Sequence, residues 1–174
     1  MRGADLGQDL RISVDLLVPT DEAGRITEAG PYFRSRSALP GEGLIGGTSA
    51  GYWVQLYSTG MLKVRRLNPQ AIVAFSSPIP DFDPAVFHRL ETEALGENLQ
   101  VWVDGRLISF DQGGKRVERV AIPPTWEGPP RIGQNQGAAG IAFAAVDNRG
   151  QIGGQRAKNT VVSAVKPSTR LPGR

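Results

Sequence analysis

Apolar and polar residues alternate with a period of two along most of this chain. Residues 9–18 (DLRISVDLLV) place Leu10, Ile12, Val14, Leu16 and Val18 on one face, the pattern of a half-buried β-strand. Residues 52–57 (YWVQLY) put Tyr52, Val54 and Leu56 on one face and Trp53, Gln55 and Tyr57 on the other. Ser58-Thr59-Gly60 reads as a turn, and 61–66 (MLKVRR) returns with Leu62 and Val64 inward. Residues 71–75 (AIVAF) form a short apolar strand. In 87–95 (FHRLETEAL), Leu90, Thr92 and Ala94 oppose Arg89, Glu91 and Glu93. The turn Gly96-Glu97-Asn98 leads to a partner strand over 99–103 (LQVWV). Asp104-Gly105 is the strongest short hairpin signal in the chain and predicts a return strand over 106–110 (RLISF). Residues 139–146 and 160–165 supply the last two strands.

These elements predict an all-β fold, an antiparallel sandwich or barrel with no long helix. Residues 83–88 (DPAVFH) fit one helical turn, with Asp83 as cap and Pro84 at the first position. Two long loops interrupt the strands, 34–51 and 111–138, the second holding four prolines and a tryptophan. Loops of this length are often functional. The expected organisation is one domain over 1–165 and a flexible tail over 166–174.

Composition narrows the function classes. The 174 residues carry 20 Lys+Arg against 17 Asp+Glu, a formal charge of +3, with no long run of one sign. That argues against nucleic acid or a membrane surface as partner. No window of 18 apolar residues predicts a membrane span. Asp5 and Asp9 interrupt any apolar stretch a secretory leader would need. With no cysteine, a disulfide scaffold, a thiol nucleophile and Cys-ligated zinc are excluded. Gly (22) and Pro (13) are abundant, but they fall between the apolar runs rather than in blocks, as turn residues do.

The segments GYWVQL–YSTGMLKVRR, HRLETEALGENLQVWVDGRLI, GAAGIAFAA and GQRAKNTVV together resemble the concanavalin A-like lectin/glucanase superfamily. More narrowly, they look like the laminin G-like and 3-keto-disaccharide hydrolase-type domains of bacterial carbohydrate-active proteins. The likeness spans roughly residues 9–165 and rests on structural anchors: Gly96, Asp104-Gly105 and Gly140. It implies an antiparallel jelly-roll β-sandwich, one sheet concave. Two departures bear on function. The family's closing strand usually has an Asp before its Asn, often a calcium ligand, where this chain has Lys158-Asn159. The paired-carboxylate motif of glycosidases on this fold does not occur.

Candidate chemistry is sparse. Glu91 and Glu93, two apart on a strand, lie roughly 6.6 Å apart, within reach of the carboxylate separations glycosidases use. The competing reading is a solvated strand face. Asp81 and Asp83 (PDFDP) read as turn and cap residues or as an acid pair. His88, the single histidine, reads as a hydrogen-bonded structural residue. Calcium is the candidate ion, with Asp147 and Asn148 (VDNRG) as its nucleus and Asp15 or Glu28 as further oxygens; the same string reads as a hairpin turn. Sugar recognition needs an aromatic platform flanked by planar polar groups, because pyranose faces are apolar and their edges carry hydroxyls. Trp126, in the proline-stiffened PPTWEGPPR, fits, with Glu127, Arg131, Gln134, Asn135 and Gln136 close by. Its alternative is a lid on the sandwich edge. Tyr32, Arg34 and Arg36 (PYFRSRS) form a second cluster, since the resemblance implies an arginine of this strand in the cleft. Trp53 fits concave-face exposure or core burial.

The leading expectation is a non-catalytic carbohydrate-binding module or lectin-like domain of a larger extracellular or periplasmic bacterial protein, with a glycan as partner. It would use Arg34, Arg36, Trp53, Trp126, Glu127, Arg131 and Asn135. The alternatives are a glycoside hydrolase or 3-keto-glycoside-cleaving domain and a laminin G-like adhesion domain.

Overall fold

A computed structural model describes residues 9–36, 50–67, 69–123, 138–145 and 154–165. Among these residues every regular element is a strand. In chain order they are β1 (Leu10–Leu17), β2 (Thr27–Arg36), β3 (Ala50–Tyr57), β4 (Leu62–Arg66) and β5 (Ala71–Ser76). Then follow β6 (His88–Leu95), β7 (Asn98–Val103), β8 (Arg106–Leu107), β9 (Phe110–Gln112) and β10 (Lys115–Val117). The last three are β11 (Val120–Ala121), β12 (Ala138–Ala145) and β13 (Arg156–Ala164). Among the described residues no helix is long and apolar enough to cross a membrane.

The strands form two antiparallel sheets packed face to face as a jelly-roll β-sandwich, the expected fold. One has six strands, in the order β11-β7-β6-β1-β13 with β8 beside β7. The other has seven, β10-β9-β5-β4-β3-β2-β12. The core lies between them and is built by the inward half of each alternation. Leu10, Ile12, Val14 and Leu16 of β1, Tyr52, Val54 and Leu56 of β3, and Leu62 and Val64 of β4 are all fully buried. The local turns behave as their residues dictate. At Ser58–Gly60 the Gly60 amide donates to Tyr57 O at 2.9 Å. Asp104 and Gly105 have φ of 50° and 77°, the left-handed pair that a two-residue hairpin needs.

Asp104 also fastens the neighbouring strand. Its carboxylate accepts from the Arg89 amide at 2.7 Å and contacts His88 Nδ1 at 2.7 Å, while His88 Nε2 meets Asp83 O at 2.8 Å. The imidazole stacks on Phe82. His88 is thus the hydrogen-bonded structural residue expected.

Three local expectations need correction. Residues 106–110 are not one return strand. Only Arg106 and Leu107 pair with β7, and the chain then crosses to the other sheet, where Phe110 pairs with Ser76. Ile108 and Phe110 both stay buried, so the alternation runs unbroken through the crossover and conceals it. The segment 111–138 is not a loop throughout. Its first part carries β9, β10 and β11, short strands whose exposed polar residues lack a period-two signal. Residues 83–88 make a hydrogen-bonded turn rather than a helical one. The Val86 amide donates to Asp83 O at 3.3 Å, and Asp83 Oδ1 accepts from the Ala85 amide at 2.9 Å.

Candidate functional site

Directly opposed residues in antiparallel strands project to the same face, so register converts the seven-stranded sheet into a grid. Its inward face belongs to the core. On its outward face one row runs Tyr32–Trp53–Arg65–Ile72 across β2, β3, β4 and β5. The next row runs Gln55–Lys63–Phe75–Asp111–Arg116 across β3, β4, β5, β9 and β10. A third pairs Glu28 with Tyr57. The alternation in YWVQLY and LKVRR places these side chains opposite the core; the register brings them together.

The β2–β3 end of this grid is sheltered. Trp53 is 1% exposed, packed with Tyr32, Leu67 and Ala142, and its indole N–H donates to Gly30 O at 3.1 Å. The Tyr32 ring lies over Gly140, where a Cβ would meet its hydroxyl oxygen at 2.7 Å. Burial raises the Tyr57 phenol above its ordinary range, and a hydrogen bond to Glu28 raises it further. Lys63 Nζ stands 4.8 Å from the Tyr57 ring centroid, and Arg65 Nη2 donates to Gln70 Oε1 at 2.9 Å. Among them sits Gln55, 1% exposed, whose Nε2 has no hydrogen-bond partner. A buried amide donor left unmatched costs about 1–3 kcal/mol, so this one needs an explanation.

The residues expected to form a site are distributed differently. Trp53 is on the outward face but buried, and it serves as a wall of the grid rather than a stacking platform. Arg34 is not on that face. Its φ of 50° at the irregularity in the β2–β3 register turns the side chain toward the sandwich end. There it is buried, with Nη2 2.5 Å from Gly96 O and 3.6 Å from Asp9 Oδ1. Arg36 ends β2 opposite Ala50. Trp126, Glu127, Arg131 and Asn135 lie outside the described residues, as do Gln134, Gln136, Asp147 and Asn148.

Three of the four alternative acids have local partners. Glu91 and Glu93 face outward on the six-stranded sheet and share one cation, at 3.2 and 4.0 Å from the Arg11 guanidinium. Asp83 is the turn cap described above. Among the described residues no three His, Cys, Asp or Glu side chains converge as metal ligands. Asp15 stands on β1 and Glu28 on β2, in different sheets, and the proposed calcium nucleus Asp147–Asn148 lies outside the described residues. Asp15 is already spent. Asn159 Nδ2 donates to it at 2.6 Å and Arg89 Nη1 at 3.0 Å, and these donors, Asn159 first, hold its carboxyl below the usual range.

Gln55, Lys63 and Arg65 were not singled out as site residues by sequence reasoning, and Glu28 was singled out only as an oxygen for calcium. The only signal was their membership of the non-core face, which by itself does not distinguish a site from solvated surface.

No family model and no curated protein matches the chain at the level of sequence. Solved structures match it in fold. The carbohydrate binding module CBM66 from Bacillus subtilis aligns with TM-score 0.55 and 16% identity, over 90% of this chain and 76% of that one. A protein of unknown function with a galectin-like fold, also from Bacillus subtilis, aligns with TM-score 0.53 and 9% identity, over 89% and 71%. What is shared at such identities is the fold, a lectin-type sandwich of the concanavalin A-like kind. The narrower likeness to laminin G-like or 3-keto-disaccharide hydrolase-type domains is not part of it.

Proposed function

We propose that this domain binds a glycan without cleaving it, as a carbohydrate-binding or lectin-like module, on the outward face of its seven-stranded sheet. The observation that carries the reading is the Gln55 amide, buried on the face turned away from the core with its Nε2 unmatched. A sugar hydroxyl accepts from such an amide and returns a proton to a carboxylate such as Glu28. Lys63 and Arg65 add donors on the exposed side, and Tyr57 and Trp53 give the floor its apolar character. The fold neighbour described as a carbohydrate binding module supports the same class.

The spacing of the described carboxylates supports binding without hydrolysis. Glycosidases need two within about 9.5 Å. On the described part of this face Glu28 and Asp111 are separated by four strand spacings, about 19 Å. An extracellular or periplasmic setting, in a larger carbohydrate-active protein, accords with this role.

A glycan array tests it, with the intact protein beside Gln55→Met and Trp126→Ala, each with and without calcium. The expected result is binding that Gln55→Met abolishes and Trp126→Ala leaves in place. Loss confined to Trp126→Ala moves the site to the 111–138 segment. A calcium requirement brings Asp147 and Asn148 into it. Silence across a broad array sinks the glycan reading.

A further inference from the structure

The Gln55 row does not stop at the sheltered end of the sheet. It continues through Lys63 and Phe75 to Asp111 and Arg116, and there the face opens into a groove of about 280 Å³. The groove is lined by both sheets: Phe75, Asp111 and Arg116 come from the seven-stranded one, and Arg106 and Leu107 from β8 of the other. Phe75 is 48% exposed, an apolar ring presented to solvent at the groove wall. Arg106 and Arg116 are both exposed, and among the described residues no ion pair or hydrogen bond engages either guanidinium. The acid in the groove is Asp111, and its Oδ1 accepts from the Gly114 amide at 2.9 Å. Two free guanidinium forks therefore face one carboxylate that is partly committed to its own turn.

We propose that the ligand is an acidic oligosaccharide, whose carboxylate or sulfate group is taken by Arg106 and Arg116 while the CH face of a sugar ring rests on Phe75. The proposal rests on the glycan reading above and names the substrate class of that site. Two features favour an anionic sugar over a neutral one, and a third concerns its length. The guanidinium fork matches carboxylate and sulfate oxygens in pairs. The charged groups named on the three rows and in the groove are Lys63, Arg65, Arg106 and Arg116 against Glu28 and Asp111, so the field steers anions toward the face. Gln55 and Arg116 lie on one face, four strand spacings or about 19 Å apart, a span that a short oligosaccharide matches.

Calorimetric titration of the intact protein tests this. The probes are an oligogalacturonate and its fully methyl-esterified form, and dextran sulfate and unmodified dextran oligomers. Each is run on the wild type, Arg106→Gln, Arg116→Gln and Gln55→Met, with melting temperatures confirming that each variant is folded. The expected result is binding of an acidic probe at least tenfold tighter than its neutral counterpart, with each arginine variant losing about tenfold. The carboxylate and sulfate arms report which anion is read. Equal binding of charged and uncharged probes, unaffected by either arginine variant but lost in Gln55→Met, overturns the acidic-sugar inference and leaves the glycan reading standing. No binding of any probe, paired with a silent glycan array, overturns both.

Discussion

Replacing Gln55 by methionine tests whether this site is held ready for a ligand at a cost to stability. The two side chains have similar length and volume, so the exchange leaves the packing near Trp53 and Tyr57 nearly unchanged. What it removes is a buried amide whose Nε2 finds no acceptor in the folded protein. An unmatched buried donor costs about 1–3 kcal/mol, and methionine carries no such requirement. The variant is therefore expected to be more stable by about 1–2 kcal/mol, after allowance for small packing differences. For a chain of this size each kcal/mol corresponds to about 2–4 °C in Tm, so an increase of several degrees is within easy reach of differential scanning calorimetry. The same variant is expected to lose glycan binding, because the amide is the buried donor the ligand would satisfy. A variant with lowered Tm and unchanged glycan affinity would refute the reasoning: the amide would then be satisfied in the free protein and would have no role in recognition.

Gly30→Ala should destabilise the protein by about 3 kcal/mol or more, since the new Cβ would fall 1.8 Å from Val54 O and part β2 from β3. Chemical denaturation measures it, and an unchanged midpoint would disprove the close approach. Asp104→Ala removes the acceptor shared by His88 and the Arg89 amide. With the aspartate side chain 53% exposed, the expected loss is about 1–2 kcal/mol, and Asp104→Asn, which keeps an acceptor for the Arg89 amide, should lose less. Asp15 has a folded-state pKa below its ordinary value, because Asn159 and Arg89 donate to its carboxylate. Its contribution is present above the ordinary carboxylate range and disappears as pH falls through the folded value. The stability gap between wild type and Asp15→Asn should therefore be open at neutral pH and close on acidification below about pH 4; a gap independent of pH contradicts the ion pair's role.

The sequence by itself determined what is local in this protein. Alternation assigned Tyr52, Val54 and Leu56 to one face and Trp53, Gln55 and Tyr57 to the other, because successive side chains of a strand must point to opposite sides. Asp104-Gly105 determined a hairpin, because few residue pairs tolerate two positive φ angles in succession. β2 escaped the period-two reading, since Gly30-Pro31 in its middle resembles a turn, and only pairing with β3 and β12 holds it extended. The crossover at Ile108–Phe110 stayed hidden because both sheets share one core, so inward residues remain inward when a strand changes sheets. Arg34, the first residue of the expected 34–51 loop, instead lies within β2, and its own left-handed φ turns the side chain toward Gly96. Tertiary structure alone decided the site. Strands β3, β4, β5, β9 and β10 lie side by side through register, a relation between distant segments that no local preference encodes. That register aligned Gln55, Lys63, Phe75, Asp111 and Arg116 in one row. Burial then separated their roles: it turned the conspicuous Trp53 into a wall, and on this face it left the Gln55 amide with its Nε2 unmatched.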